Sequence, residues 1–407
     1  MKKIFASAGL IALGAVTAKP AEVGVGTADK PWDVKLAIRG FYDDNNNQAG
    51  SLGSKKASYG AEVRPSFGYS KHGEQTMYGG RYTYSMRYYE ARKNNQLDHG
   101  HDLNLWLVHQ FNERFSIDFA DTLTVSQEPT VTEPGLGVVR SQGNNFHNNA
   151  NVNFHAQLTR ALELVLGYRN DFYDYETSGV GSYSALLDRV EHYMNADLRW
   201  RFRPETVAIF GYRYGIGDYT SSDFLAPATP SNLRDWRSHY VYVGLDHAFS
   251  RNFTGSVKVG GEFVDHINAN QNSVSPTATA SLRYTYRNNS FLELGVQHQR
   301  NATDAFSIGV GGVTTDQETT AIYGTWQHAI TARLTGILNG QYSHGTYDGG
   351  TLNNQSDDVY VVGVSAEYHF TRHFSAEIGY NYDHVESNIV GRSYDRNRVF
   401  LGMNVAY

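Results

Sequence analysis

Apolar and polar positions alternate one by one along almost the whole chain after residue 33. Phe115, Ile117, Phe119, Leu123 and Val125 share one parity, interrupted by Asp121, while Ser116, Asp118, Ala120, Thr122 and Thr124 hold the other. Residues 253–263 and 374–382 repeat the pattern. A helix needs apolar residues three and four apart, whereas a half-buried strand needs alternate ones, so these segments predict strands. Two kinds of connection join them. Short links centre near residues 113, 160, 204, 251, 288, 332 and 372, with an earlier one at 70–75, and they recur every 37–47 residues. Between them lie polar stretches rich in Asn, Asp, Gly and Ser, near 43–58, 92–100, 127–148, 174–190, 220–237, 266–275, 301–318, 345–356 and 385–395. With a first strand near 33–42 and a last near 396–407, the count is about 18. Short turns on one side and long loops on the other predict an all-β fold: a transmembrane antiparallel up-and-down β-barrel with periplasmic turns and extracellular loops.

Composition narrows this further. A chain of 407 residues would suggest two or three globular domains, but only 40% of it is hydrophobic, and it holds 40 Gly, 29 Tyr and 20 Phe. The longest apolar run, residues 4–16, is too short for the about 20 residues of a membrane-spanning helix. The absence of Cys removes disulfide scaffolds, CxxC zinc sites and thiol enzymes. A net charge of −6 without a basic block argues against nucleic acid as a partner. At the start, Lys2 and Lys3, the apolar run and the short residues Val16, Thr17 and Ala18 read as a secretory signal peptide over 1–18, which leaves 19–407 as one barrel domain.

Parity assigns the faces. Leu103, Leu105 and Leu107 or Val241, Val243 and Leu245 would face lipid, with aromatic rings at the strand ends. The opposite parity carries charge, which is expensive in a bilayer and so belongs inside. Its basic residues are Arg64, Arg81, Arg87, Arg169, Arg199, Arg201, Arg213 and Lys258. Its acidic residues include Glu62, Asp118, Glu262, Glu367, Glu377 and Asp383. The basic residues fall on the early and middle strands and several acidic ones on the last, which predicts a field across the lumen. The alternative is ion pairing along the wall, such as Glu62 with Arg64 or Arg81.

Other chemistry is weak. His99 and His101 beside Asp98 could ligate a transition metal, and Asp383, His384 and Glu386 could imitate a hydrolase rim, but no nucleophile is placed beside them. The Gly-rich 309–312 has no following Lys to cradle phosphate. The expectation is therefore no catalytic residue, no metal and no cofactor.

The terminal strand, Val399-Phe-Leu-Gly-Met-Asn-Val-Ala-Tyr407, alternates and ends on an aromatic residue. With the overall pattern, it makes the chain resemble bacterial outer-membrane β-barrels of the porin type, and more narrowly the β-barrel porin-2 families. The resemblance implies residence in outer-membrane lipid and passive diffusion of small hydrophilic solutes. It also implies that Tyr407, where such families most often have Phe, is the signal read by the barrel-assembly machinery. In many porins the third loop folds into the pore, so residues 127–148 are expected to narrow the channel. A polysaccharide export conduit is a second reading, because Trp106, Tyr240, Tyr242 and Tyr323 have inward parity. A surface adhesin or structural barrel is a third. Assembly as a homo-oligomer is left open.

Overall fold

A computed structural model describes residues 30–128, 143–309 and 312–407. The expected signal peptide and most of the third long loop lie outside the described residues. Eighteen strands form one closed sheet. The first nine are β1 (Trp32–Asp43), β2 (Ser58–His72), β3 (Thr76–Tyr89), β4 (Leu97–Gln110), β5 (Phe115–Ser126), β6 (Asn145–Gln157), β7 (Leu162–Asp174), β8 (Arg189–Arg203) and β9 (Thr206–Tyr219). The others are β10 (Trp236–Ser250), β11 (Phe253–His266), β12 (Gln271–Arg287), β13 (Ser290–Asn301), β14 (Asp316–Ala329), β15 (Leu334–Asp348), β16 (Ser356–His369), β17 (Phe374–Ser387) and β18 (Tyr394–Ala406). Each strand pairs antiparallel with the next, and β18 closes on β1 from Lys35 opposite Ala406 to Asp43 opposite Arg398. Closure leaves no unpaired edge, which is the condition for a sheet to cross lipid. Among the described residues no helix is long and apolar enough to cross a membrane.

The short turns have a common chemistry. The hydroxyls of Thr159, Thr331 and Thr371 each accept from backbone N–H groups two and three residues ahead. Asn112 does the same with its carboxamide oxygen, toward Arg114 and Phe115 at 2.8 and 3.1 Å. These side chains replace the ladder partners that a turning backbone loses. The two-residue link between β12 and β13 places Asn289 at φ 55°, a conformation Asn tolerates.

The loops on the other side are shorter than polarity suggests. Residues 97–100, 145–148 and 271–275 belong to β4, β6 and β12, so the stretch expected at 266–275 is a turn of only 267–270. Polar composition marks where water begins, whereas hydrogen bonding carries the strands beyond that boundary. The 14 ladder pairs between β11 and β12 run up to His266 opposite Gln271.

The outer face is apolar and accessible, with Val241 62%, Ile322 55% and Leu401 64% exposed. Rings bracket it. Phe111, Phe115, Phe202, Phe249 and Phe370 stand at the short-turn end and Tyr59, Tyr88 and Phe263 at the long-loop end.

Candidate functional site

The residues expected inside all lie on the parity opposite to the exposed apolar face, and most are joined into two circuits. The first lies along β17, β18 and β1 to β3. Arg39 donates from Nε to Glu377 at 2.5 Å and stands 3.5 Å from Glu62. Arg87 holds Glu62 at 3.0 Å and Glu128 at 3.3 Å. Glu128 in turn accepts from Arg396 at 2.9 Å, and Arg396 grips Asp43 from Nε at 3.0 and 3.1 Å. The circuit begins and ends on β1. Glu128 follows β5 in sequence yet lies between side chains of β3 and β18. The first residues of the third long loop therefore turn into the barrel. Arg396 and Asp43 are fully buried. Burial pushes the Glu128 carboxyl up, but Arg396 and Arg87 hold it down at about 2.

The second circuit lies along β5 to β11. His155 bridges Asp118 and Glu163 at 2.5 and 3.0 Å. Arg199 joins Glu163 at 3.5 Å and Asp246 at 2.9 Å. Nearer the outer side, Arg169 pairs with Asp171 at 2.9 Å and Arg213 with Glu262 at 3.3 Å, and both guanidinium groups face the Tyr193 ring.

The expected separation into a basic and an acidic wall does not survive. Arg39, Arg396 and Arg398 sit among the carboxylates of the last strands, with Arg398 on Asp383 at 2.6 Å. Glu62 pairs with Arg87 and Arg39, not with Arg64 or Arg81, and Arg81 turns to Asp33 at 2.8 Å. Desolvated charges neutralise locally, so a tally by strand misleads. Glu367 accepts from Ser375 at 2.7 Å. Of the basic residues expected inside, Arg64, Arg201 and Lys258 form no ion pair among the described residues, and Lys35, inward near the start of β1, forms none either. The alternating pattern of β1 already offers Arg39 and Asp43. Arg396 and Glu128, at a strand's outer end and in a loop, carry no periodic signal.

The wall of β12 to β15 differs. Its inward positions include Thr277, Thr279, Ser281, Gln297, Thr319 and Gln341, hydroxyl and amide groups, beside the ion pair of Arg283 with Glu293 at 2.6 Å toward the short turns. Tyr240 and Tyr242, on β10 beyond β11, are only 9% and 7% exposed, and the Tyr242 ring lies over Gly211 with its hydroxyl on Asp197. They are wall packing and offer little free ring face.

The long loops cover the outer mouth. Arg234 is fully buried and donates to the carbonyls of Leu186, Thr303, Ala305 and Thr314, drawn from two other loops. Arg392 reaches Asp304 at 3.0 Å and Asp357 at 2.7 Å. Tyr173, Tyr175, Leu186, Leu187 and Leu225 form an apolar core against Leu233 and Phe306. Residues 175–188 and 302–315 are six strands apart around the barrel, roughly 30 Å for 18 strands at ordinary spacing and tilt. Their contact requires both to lean over the opening. A five-residue helix, Tyr183–Leu187, is capped by Ser182 accepting from Ala185 N–H at 3.1 Å. The C-cap Asp188 accepts from Tyr175 N–H at 2.7 Å, and burial pushes its carboxyl up to about 6 against that bond and the Ser184 hydroxyl.

The weighed alternatives separate in space. His99 and His101 lie within β4, bonded to the Tyr84 and Tyr82 hydroxyls at 2.6 and 2.7 Å, while Asp98 is on the other face with Arg92. Asp383 pairs inward with Arg398, and His384 stacks outward on Tyr382. Part of the Gly-rich 309–312 lies outside the described residues. Tyr407 is 65% exposed at the β18–β1 seam, where it exchanges backbone bonds with Val34 at 2.9 and 3.0 Å.

Comparison with solved structures gives distant likenesses. OccAB4 of Acinetobacter baumannii is 13% identical, with TM-score 0.42, over 93% of this chain and 99% of that one. OpdK of Pseudomonas aeruginosa, solved with vanillate, is 11% identical with TM-score 0.46 over 92% and 99%. OccK2 of the same organism, solved with glucuronate, is 11% identical with TM-score 0.45 over 92% and 98%. Comparison with the curated proteins gives no match. A family model does match, across residues 34–407 and hence across every strand but the first two residues of β1. The closed barrel, its apolar outside and charged inside, and that match agree: the chain belongs to the family described as Putative beta-barrel porin 2 and is a porin-like channel of the bacterial outer membrane.

Proposed function

We propose that the protein is a passive, non-enzymatic channel whose ion preference is set by the inward cations that lack a carboxylate partner. The observation that carries the reading is a closed 18-strand barrel with charged side chains on the inside. Such a barrel has a backbone diameter of about 36 Å, too wide for side chains on the wall to fill. The circuits along β17 to β3 and β5 to β11 are close to neutral within themselves. Selectivity then falls to Arg64, Arg201 and Lys258, and solutes enter past the interlocked loops. The seating of Tyr240 and Tyr242 against the wall gives the polysaccharide reading no support.

Purified protein in planar bilayers tests this. Stepwise conductance in symmetric salt, with a reversal potential toward anion preference in a salt gradient, is expected. A preparation that inserts as a folded barrel but gives no conducting steps overturns the channel reading. Conducting steps without anion preference overturn the assignment to the three cations.

A further inference from the structure

The short turns carry charge that the lumen does not use. Each of the eight has an exposed cation in it or beside it. Arg160, Arg251 and Arg372 stand inside the turns after β6, β10 and β16, and Arg114 and Arg333 close those after β4 and β14. Arg203 and Arg287 end β8 and β12, and Lys71 is one residue from the end of β2. None pairs with a carboxylate among the described residues. The same segments hold three acidic residues, Glu74, Glu113 and Glu205, so this rim is positive on a chain whose net charge is −6. Outward apolar side chains border the turns. Phe111, Leu158, Phe249, Ile330 and Phe370 are each about half exposed, so hydrocarbon ends within a few residues of the cations.

Magnitudes decide what this charge can reach. Turns of two to four residues cannot fold into the opening, so the rim keeps the full width of the barrel. At about 36 Å across, its cations stand about 18 Å from the axis, more than twice the Debye length of about 8 Å at 0.15 M salt. A solute on the axis is screened from them, whereas a group touching the rim is not. Successive turns are two strands apart, about 12 Å along the circumference, and they continue all the way round. A folded protein would cover one sector of such a ring, but the annulus of lipid meets every turn. We propose that the turn cations bind the anionic headgroups of phospholipids in the periplasmic leaflet. The Phe, Leu and Ile side chains lie against the acyl chains, and the cations meet the phosphates just beyond them. This attraction decays within a Debye length of the surface, so it selects the lipids in contact with the barrel.

Tryptophan fluorescence reads the lipid at this end. Of the five Trp, Trp32, Trp200 and Trp326 are exposed on the outer face near the turns. Trp32 packs on Tyr407, Trp200 pairs with Leu162 beside the Arg160 turn, and Trp326 donates to the hydroxyl of Tyr286, next to Arg287, at 3.0 Å. The full-length protein is inserted into phosphatidylcholine vesicles holding the same fraction of either dibrominated phosphatidylglycerol or dibrominated phosphatidylcholine. Quenching should give the anionic lipid an association constant about fivefold higher, the effect of one Lys or Arg at an anionic surface. Raising the salt to about 1 M, where the Debye length is about 3 Å, should bring the ratio to about one. Arg160→Gln, Arg287→Gln, Arg333→Gln and Arg372→Gln combined should do the same at low salt. Equal quenching by the two lipids in the wild-type protein would overturn the proposal and leave the rim to a protein partner. A preference that survives high salt, or that the quadruple variant keeps, would overturn it too. The salt series uses the wild-type chain, so the result does not depend on the variant inserting. Quenching needs an inserted barrel but no conduction, so this proposal and the channel reading fail independently.

Discussion

Replacing Glu128 with Gln isolates the contact that holds the first residues of the third long loop against the inner wall. Gln keeps the shape and loses the charge. Arg87 retains Glu62 at 3.0 Å and Arg396 retains Asp43, so neither guanidinium is stranded and the β18–β1 seam should close normally. The wild-type carboxylate makes two contacts, at 2.9 Å to Arg396 and 3.3 Å to Arg87. A charge-assisted hydrogen bond contributes about 1.5–3 kcal/mol and a neutral one about 1 kcal/mol. Counting mainly the shorter contact, the substitution should cost about 1 kcal/mol of seating. At about 1.4 kcal/mol per tenfold, that raises the released population roughly fivefold. Single-channel recording should then show added current noise and larger-conductance substates on an unchanged main level. Arg396→Met is the harsher control. It strands Asp43 and Glu128 together, a loss of about 3–5 kcal/mol for a broken buried pair, and should lower the yield of folded barrel. A Glu128→Gln channel indistinguishable from wild type in noise and substates would refute the idea that this residue fastens the loop.

Glu128 is held at about 2, below the ordinary carboxylate value, so its seating is complete above about pH 4.5 and is lost only as pH falls toward 2; noise recorded at pH 5 should match that at pH 7. Asp188 has the opposite sign: its folded value of about 6 lies above the unfolded one, so loop packing is favoured when it is protonated and weakens as pH rises from about 4 through 6. Protease nicking within 175–188 should accordingly be slower at pH 5 than at pH 7.5, with the difference abolished in Asp188→Asn. Deleting Tyr407 removes two backbone bonds at the seam and the proposed assembly signal; it should cut outer-membrane yield while the barrels that form remain resistant to unfolding in detergent, and normal yield would remove that role. A protease site placed in 220–235 should be cut on intact cells and one at 250–252 should not, the reverse outcome inverting the topology.

The strands were legible because a sheet between lipid and water imposes a period of two on nearly every residue. Phe115 to Val125 shows it without help from any other segment. The eight short turns were legible for a related reason: links such as Thr159-Arg-Ala161 are too brief for anything else. Interior charge was legible as parity and illegible as pairing. The register that sets Glu62 opposite Arg87 depends on a turn geometry that residues 73–75 do not announce. The outer ends were least legible. Polar strand residues such as Gln271 to Ser275 read the same as loop, because water accepts either. Arg234 shows no periodicity at all, yet its guanidinium organises carbonyls from two distant loops. Asp121 was visible as a break in an apolar parity, but its place at mid-membrane needed the register with Leu105.

Charge pairing in the wall and loop packing at the mouth answer different physical demands. A channel of this width must keep its wall hydrated enough to pass solutes, yet each wall charge repels its own kind on neighbouring strands. Circuits such as Glu377, Arg39, Glu62, Arg87, Glu128 and Arg396 meet both needs, because every group has a partner and each pair is still polar. The same device ties β17 to β3 through side chains, which stiffens the region where β18 closes on β1. On β12 to β15 Arg283 and Glu293 pair at 2.6 Å toward the short turns, and neutral hydroxyls and amides hold most of the other inward positions. A transiting ion therefore meets its strongest net field beside the cations with no pair, not beside the densest clusters of charge. Replacing Arg81, Arg87 and Arg199 with Gln would leave Asp33, Glu62, Glu128, Glu163 and Asp246 less compensated, and the shift toward cation preference would come from those carboxylates. Replacing Arg64, Arg201 and Lys258 removes cations alone, so the two triple variants separate a field set by uncompensated partners from one set by free charge. Both effects should fade as salt shortens the Debye length below about 8 Å, the reach of a fixed charge at about 0.15 M.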